Sequence, residues 1–291
     1  MNVMGDFFQA LDEQQLSIGY LEIFQAHSQA LRTVRGNLRT IPMAYHAEGL
    51  WFTQPDWEES EPAAIRLESV ARDLELLDSW WVNQECASKE VVGYSFGTYV
   101  PPLFTEESAR LTARQVSQAQ EALDSRKWAK PNAPLILLEV PPLTYFGVGD
   151  LSYADYFQKV AQWAPCGFVL DLGHVWTAYR YSGAWTTQTF EEYFDSFLEA
   201  FPLERVIQIH VAGLACHPGL TVEQSQELGG GLPPWLDSHG DPIPEELFFV
   251  LGKVLASDRL AYLKGLALEV DNKSISQICW ELRRVQEQFV G

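Results

Sequence analysis

Seven short apolar runs recur along the chain, separated by longer amphipathic stretches, and this alternation constrains the fold more than any other feature. The runs are Ile18–Phe24, Ile41–His46, Trp80–Glu85, Leu135–Val140, Phe168–Asp171, Val206–His210 and Leu266–Val270. They are rich in branched and aromatic residues and too short for helices, so they read as strands. Between them, Ala63–Asp78 places Ile65, Val70, Leu74 and Leu77 near one helical face. Thr105 is placed to cap a helix running to Leu123, with Glu106 and Glu107 in its first turn. Ser152–Trp163, Thr189–Phe201, Glu245–Ala256 and Ser274–Phe289 read as helices too, and Phe7–Gln15 as a shorter one. A strand–helix series of this length forms either an open doubly wound sheet or a closed (β/α)8 barrel. No Gly-x-Gly-x-x-Gly follows the first strand, which weakens the dinucleotide-binding form of the open sheet. Gly229–Gly231 leads into Pro233–Pro234 and reads as flexible connection. The expectation is a (β/α)8 TIM barrel, α/β in class, as one domain over residues 1–291. Its first strand is irregular or truncated, because an eighth strand would have to precede Phe7, where Met1–Gly5 is a poor candidate.

The strands end in an unusual way. Six of the seven carry a metal-capable residue at the C-terminal edge: His46, Glu85, Glu139, Asp171, His210 and Glu269. In a barrel those ends converge on one rim, where active sites form. Carboxylates and imidazoles crowded into a partly dry space neutralise by shifting pKa or are compensated by a multivalent cation. His174, three residues past Asp171, and the loop pair Asp237 and His239 extend the set to nine. That exceeds the capacity of one ion, so two or three ions sharing carboxylates are expected. A ligand set of nitrogen and oxygen without thiolate suits iron, manganese or zinc. Taken singly, each of these residues has an ordinary alternative as a capping, salt-bridging or core group; the joint pattern is what points to metal. Four of the six histidines fall in it. Of the others, His27 stands just beyond Glu22 and is a candidate to line the rim, and His217 reads as loop surface. Aromatic residues in the same loops, Trp51, Tyr145, Trp176 and Trp235 among them, are candidates to wall a substrate pocket. Their plainer reading is packing between loops.

Composition narrows the partners. The net charge of −19 opposes nucleic acid and anionic membrane surfaces. No run approaches the ~18 apolar residues of a membrane helix. Met1–Ala10 lacks the basic and apolar regions of a signal peptide. The four cysteines include no Cys-x-x-Cys, which fits reduced thiols and a cytoplasmic setting.

The runs His46-Ala-Glu-Gly-Leu50, Leu138-Glu139-Val-Pro141, Leu170-Asp171-Leu-Gly-His174, Ile209-His210-Val-Ala-Gly213, Asp237-Ser-His239-Gly240-Asp-Pro242 and Leu268-Glu269-Val-Asp271 resemble those of the multinuclear non-haem iron-dependent oxidative enzymes. That family includes the iron oxidase of methanobactin biosynthesis. The resemblance covers roughly His46 to the C-terminus. It implies a barrel of the xylose isomerase-like superfamily that holds two or three irons. It also implies O2-dependent reworking of cysteine or other residues in ribosomally made peptides, often with a separate peptide-binding partner protein. Three positions depart from the family pattern: Glu85 falls where the family has His, His174 where it has Asn, and Leu214 where it has a second His. Two other readings stand beside an iron oxidase. One is a redox-neutral sugar isomerase, epimerase or phosphoester hydrolase using zinc or manganese. The other is a degenerate, non-catalytic barrel.

Overall fold

Each run read as a strand becomes one strand of a single parallel sheet. The structure, a computed structural model, describes residues 3–55, 57, 61–91, 94–143, 147–216 and 235–290. The sheet order is β1 (Leu21–Phe24), β2 (Met43–His46), β3 (Trp81–Glu85), β4 (Leu135–Glu139), β5 (Gly167–Asp171), β6 (Val206–Ala212) and β7 (Gly265–Glu269). Spatial order equals chain order, so every connection returns to the next position of a TIM-type β/α barrel. The helices are α1 (Val3–Glu13), α2 (Ser28–Asn37), α3 (Glu61–Leu77), α4 (Glu106–Asp124), α5 (Tyr153–Trp163), α6 (Leu172–Tyr181), α7 (Phe190–Ala200), α8 (Glu245–Leu255) and α9 (Ile275–Val285).

Local chemistry sets the helix starts. Thr105 and Ser152 accept the N–H of Ser108 and Asp155 at 3.2 and 3.0 Å. Thr189 with Glu192, and Ser274 with Gln277, form reciprocal capping boxes. The expected irregularity lies at the N-terminal seam. Residues Val3–Glu13 are helix, and among the described residues no strand precedes Leu21. The reason is the apolar face of α1. Phe7, Phe8 and Leu11 pack with Leu16, Ile275, Cys279 and Leu282 in a small core separate from the main one. Strands β1 and β7 therefore pair on one side only, and both are partly exposed where β2 is buried throughout.

Alternation along the strands separates two layers. On β5 and β2, Phe168 and Tyr45 point outward, to Phe157 and Phe201 and to the Asp73 carboxylate. Their neighbours Asp171 and His46 end at the mouth of the barrel. Two helices and a hairpin escaped the sequence reading. Helix α6 is buried on all sides over Leu172–Tyr179, so it has no amphipathic stripe. Helix α2 buries only Leu31. The hairpin Ser88–Val91/Tyr94–Val100 is largely exposed, with Gly97 at φ 66°. Among the described residues no helix is long and apolar enough to cross a membrane. Cys86, Cys166 and Cys279 are free and buried.

Phe157 is fully buried between the sheet and Phe201. Phe157→Ala is expected to lower unfolding stability by about 3–5 kcal/mol, measured by chemical denaturation.

Candidate metal centre

Strand ends deliver the polar residues to one place. His46, Glu85, Glu139, Asp171 and His210 are each 5% exposed or less at the C-terminal mouth. Single ligand atoms of Glu139, Asp171, His210 and Glu269 lie within 4.8 Å of one another. His210 sits at the centre. Its Nε2 is 3.2 Å from Glu22 Oε1, and its Nδ1 is 3.4 and 3.3 Å from Glu139 Oε1 and Glu269 Oε1. His46 Nε2 faces Glu139 at 3.2 Å and Glu85 at 3.7 Å.

The spacing Asp171-Leu-Gly-His174 has a structural explanation. Asp171 caps α6, and its Oδ1 accepts the His174 N–H at 2.6 Å. The helix thus starts directly on the strand end and turns the His174 ring back over the mouth. His174 Nε2 meets Asp237 Oδ2 at 2.9 Å, and Asp237 Oδ1 meets His239 Nε2 at 2.8 Å. His239 holds a left-handed backbone, φ 57°, a conformation that costs a non-glycine residue energy and is concentrated at functional sites. The loop carrying Asp237 and His239 is seated by Gly213. A Cβ there would stand 1.5 Å from the Asp241 carbonyl oxygen, so only glycine lets the end of β6 and this loop touch.

Three rings have one nitrogen fixed from outside. Nδ1 of His46 faces the Ala47 carbonyl at 3.1 Å, that of His174 the Val140 carbonyl at 2.6 Å, and that of His239 the Asp271 carboxylate at 3.3 Å. In each, Nε2 turns inward. Metal-ligating histidines are held this way.

Several buried atoms of the cluster have no hydrogen-bond partner: Glu139 Oε1, Asp171 Oδ2, both His210 nitrogens and Glu269 Oε2. The contacts around His210 are close enough for ion pairing but lack hydrogen-bond geometry. Orphaned buried donors and acceptors are costly, and here all belong to metal-capable groups of nitrogen and oxygen. The residues present therefore fit a hard or borderline divalent cation.

Protonation in the metal-free chain shows the same demand. Burial disfavours a charged His210, yet Glu22, Glu139 and Glu269 outweigh it and hold its pKa well above the usual imidazole range. Burial opposes charge on Glu139 as well, but His210 and His46 keep it well below the usual carboxylate range. His46 is pushed up to about 10 against its burial, chiefly by Glu85 and Glu139. His239 is raised to about 12 against burial by Glu269 and Asp237. Glu269, partly buried, is lowered to about 2 by His239 and His210. Asp171 goes the other way: burial, with Glu269 and Glu139 nearby, raises it well above normal despite His174. Without metal, protons do the work of cations.

All nine residues expected from the sequence reach this mouth. The aromatic candidates fare differently. Trp176 is a core residue, with its ring centroid 4.6 Å from Phe190. Trp51 is buried against the hairpin residue Tyr99 at 6.4 Å. His27 is exposed at the N-cap of α2, with no hydrogen bond or ion pair to the cluster. Tyr145 and the side chain of Trp235 lie outside the described residues.

The sequence reading missed Glu22, Asn83, Asp271 and Phe24. Asn83 donates to Glu139 Oε2 at 2.5 Å, and Phe24 lies with its ring centroid 5.1 Å from that of His46. Glu22 stands two residues short of its strand end. The signal that would have found it is parity: Tyr20 and Glu22 share the inward face, while Leu21 and Ile23 take the other.

A sequence model of the RiPP precursor modification enzyme family MbnB/TglH/ChrH matches residues 3–288. Relatives include a UPF0276 protein of Anaeromyxobacter sp., 26% identical over 208 residues, covering 71% of this chain and 61% of that protein. Another, of Vibrio parahaemolyticus, is 25% identical over 251 residues, covering 84% of this chain and 75% of that one. The chain thus spans less than two thirds of the length of the first. Among solved structures, a xylose isomerase domain containing protein from Salmonella typhimurium superposes with a TM-score of 0.56 at 14% identity, over 99% of this chain and 93% of that one. An IolI protein with a bound zinc atom gives 0.54 at 11% identity, over 99% and 95%. These structural likenesses establish the fold.

Two outcomes test the centre. The raised histidines stabilise the metal-free chain fully below an unfolded imidazole pKa near 6.5, and this contribution is lost as pH rises through about 10 at His46. Metal displaces those protons. Calorimetry in buffers of different ionisation enthalpy should therefore show proton release on metal binding, and affinity should keep rising with pH up to about 10, where His46 loses its proton. Gly213→Ala should displace the Asp237–His239 loop and lower metal affinity at least about tenfold, read by metal titration with circular dichroism as the folding control.

Proposed function

The chain belongs to the RiPP precursor modification enzyme family MbnB/TglH/ChrH, and from that premise we propose that it is a di- or tri-iron enzyme that uses O2 to modify a ribosomally made peptide. The observation that carries this reading is the set of orphaned buried atoms on Glu139, Asp171, His210 and Glu269, gathered at the barrel mouth.

In this reading Glu139, Asp171, His210 and Glu269 hold the inner metal position, Glu22 supports His210 from its other nitrogen, His46 and Glu85 flank the site, and His174, Asp237 and His239 hold the outer one. Bound there, iron supplies O2 activation and a site for a substrate thiolate or carboxylate. The protein supplies the rest. Ala47, Val140 and Asp271 fix three imidazoles with Nε2 inward, so no rotation is needed when metal arrives. Asn83 clamps Glu139. Tyr99 and Lys89 of the hairpin both reach the Glu48 carboxylate, Tyr99 at 3.3 Å, which anchors the hairpin to the segment after β2. Burial of the strand ends excludes bulk water from the inner position. Phe24, half exposed against His46, offers an apolar contact for an arriving peptide. A separate peptide-binding protein is part of the proposal.

The test is anaerobic reconstitution with Fe(II), followed by O2 and a cysteine-containing peptide, with an oxygen electrode and peptide mass spectrometry as readouts. O2 consumption coupled to a peptide mass change is expected. Turnover of a sugar or phosphoester with Mn(II) or Zn(II) in the absence of O2, and none with peptide, would replace this reading by a redox-neutral one.

A further inference from the structure

The loop that carries Asp237 and His239 runs on to Ile243, directly before Pro244 and α8. A charge pair outside the metal centre fastens it there. Lys273, in the turn after β7, and Glu281, on α9, form an ion pair whose side chains are each 1% exposed. Surface pairs of this chain differ: Arg126 and Glu68 are 28% and 53% exposed. Taking two charges out of water costs about as much as their attraction returns, so a buried pair is weak evidence of stability. The bonds around this one give it another role.

Glu281 uses its two oxygens on different partners. Oε2 takes the Lys273 ammonium, and Oε1 accepts the Ile243 N–H at 2.6 Å. Arg284, three residues further along α9, donates to the Ile243 carbonyl at 3.2 Å. Both backbone groups of Ile243 are therefore bonded to α9, four residues beyond His239 in the loop. Ile243 is buried, so bulk water would not replace a lost partner of its N–H.

The turn that holds Lys273 grips the same loop nearer the mouth. The Lys273 N–H donates to the Val270 carbonyl at 3.1 Å, which closes the turn around Asp271 and Asn272. Asn272 takes a left-handed backbone, φ 64°, which a short polar side chain tolerates, and its amide donates to the Ser238 carbonyl at 3.1 Å. Asp271 faces His239 Nδ1 at 3.3 Å. The turn thus holds Ser238 and His239, α9 holds Ile243, and the Lys273–Glu281 pair joins the two.

We propose that Glu281 and Lys273 are positioning residues for the outer metal position. The pair locks the turn after β7 to α9, and the two together hold Asp237 and His239 at the mouth. This rests on the assignment of His174, Asp237 and His239 to an outer ion. Neither Glu281 nor Lys273 meets the ion; both act through the Ile243 N–H and the turn at Asp271 and Asn272. The inner position is carried by the ends of β4, β5, β7 and by β6, and draws nothing from this loop.

Two double variants separate positioning from a purely structural role. Glu281→Leu with Lys273→Met, and Glu281→Gln with Lys273→Met, both remove the pair and leave no unpaired charge. Replacing a buried pair in this way costs little stability, which urea unfolding checks. Only the glutamine variant keeps an acceptor for the Ile243 N–H. The readouts are amide hydrogen exchange over residues 237–243 of the metal-free chain, by mass spectrometry, and anaerobic titration with Fe(II) alone. The leucine variant should exchange at least about tenfold faster over this segment. It should bind the outer ion at least about tenfold more weakly with the inner ion unchanged, and the glutamine variant should match wild type in both. Glu281→Asp, which keeps the charge but shortens the arm to Ile243, should show the same selective loss in milder form. Unchanged outer affinity in the leucine variant, equal loss of both ions, or a glutamine variant as impaired as the leucine one would overturn this proposal alone. A wild-type chain that takes up no iron would overturn the metal reading of the mouth and this proposal with it.

Discussion

The structure turns on His210, an imidazole with no solvent exposure and carboxylates on both of its nitrogens. A buried charge is tolerated only when it is paired and satisfied. Here the pairing is electrostatic while hydrogen bonds are missing, and the same holds for one oxygen each of Glu139, Asp171 and Glu269. A compact cation placed among one ligand atom each of Glu139, Asp171, His210 and Glu269 would satisfy that side of the cluster, and the other His210 nitrogen faces Glu22. Gly265 on the neighbouring strand β7 leaves room for Tyr20, whose hydroxyl oxygen stands 2.6 Å from where a Cβ would be, and Glu22, two residues further on, meets His210.

Much of the surrounding architecture serves this arrangement. Asp171 both ends β5 and caps α6, which places one carboxylate oxygen on the helix and leaves the other at the mouth. The close contact at Gly213 brings a second loop with two more ligand-type residues over the first set. The hairpin after β3 closes one flank through Tyr99 and Lys89, whose ammonium also pairs with Glu48. The main core of aromatic rings around Phe157, Phe168 and Phe201 sits outside the sheet and holds the strands that carry the ligands. The floor of the barrel, where Trp81, Gln208 and Tyr20 are bonded together, is a separate layer with a different chemistry.

The strands were legible because each is a short apolar run, six of the seven with a polar residue near the end, and the capped helices because Thr105, Ser152, Thr189 and Ser274 announce them. Six of the nine expected mouth residues were legible because strand ends in a barrel converge, and His174, Asp237 and His239 because they stand as ligand-type residues in the segments that follow. What escaped has physical causes. Helix α6 is buried on every side and shows no stripe. Glu22 lies inside its strand, so a reading based on strand ends passes over it. Trp176 follows His174 by two residues, yet helical rotation turns it into the core against Phe190, because residues two apart on a helix do not share a face. Alternation with the neighbours Tyr20 and Ile23 would have recovered Glu22; nothing in the local sequence marks Trp176 as packed inward.

The central claim is that the mouth is a multinuclear metal centre. Elemental analysis by mass spectrometry, on protein purified without chelator, tests it most directly. The account predicts about two to three iron ions per chain. A chain that carries no metal, and takes up neither iron, manganese nor zinc on reconstitution, would contradict it.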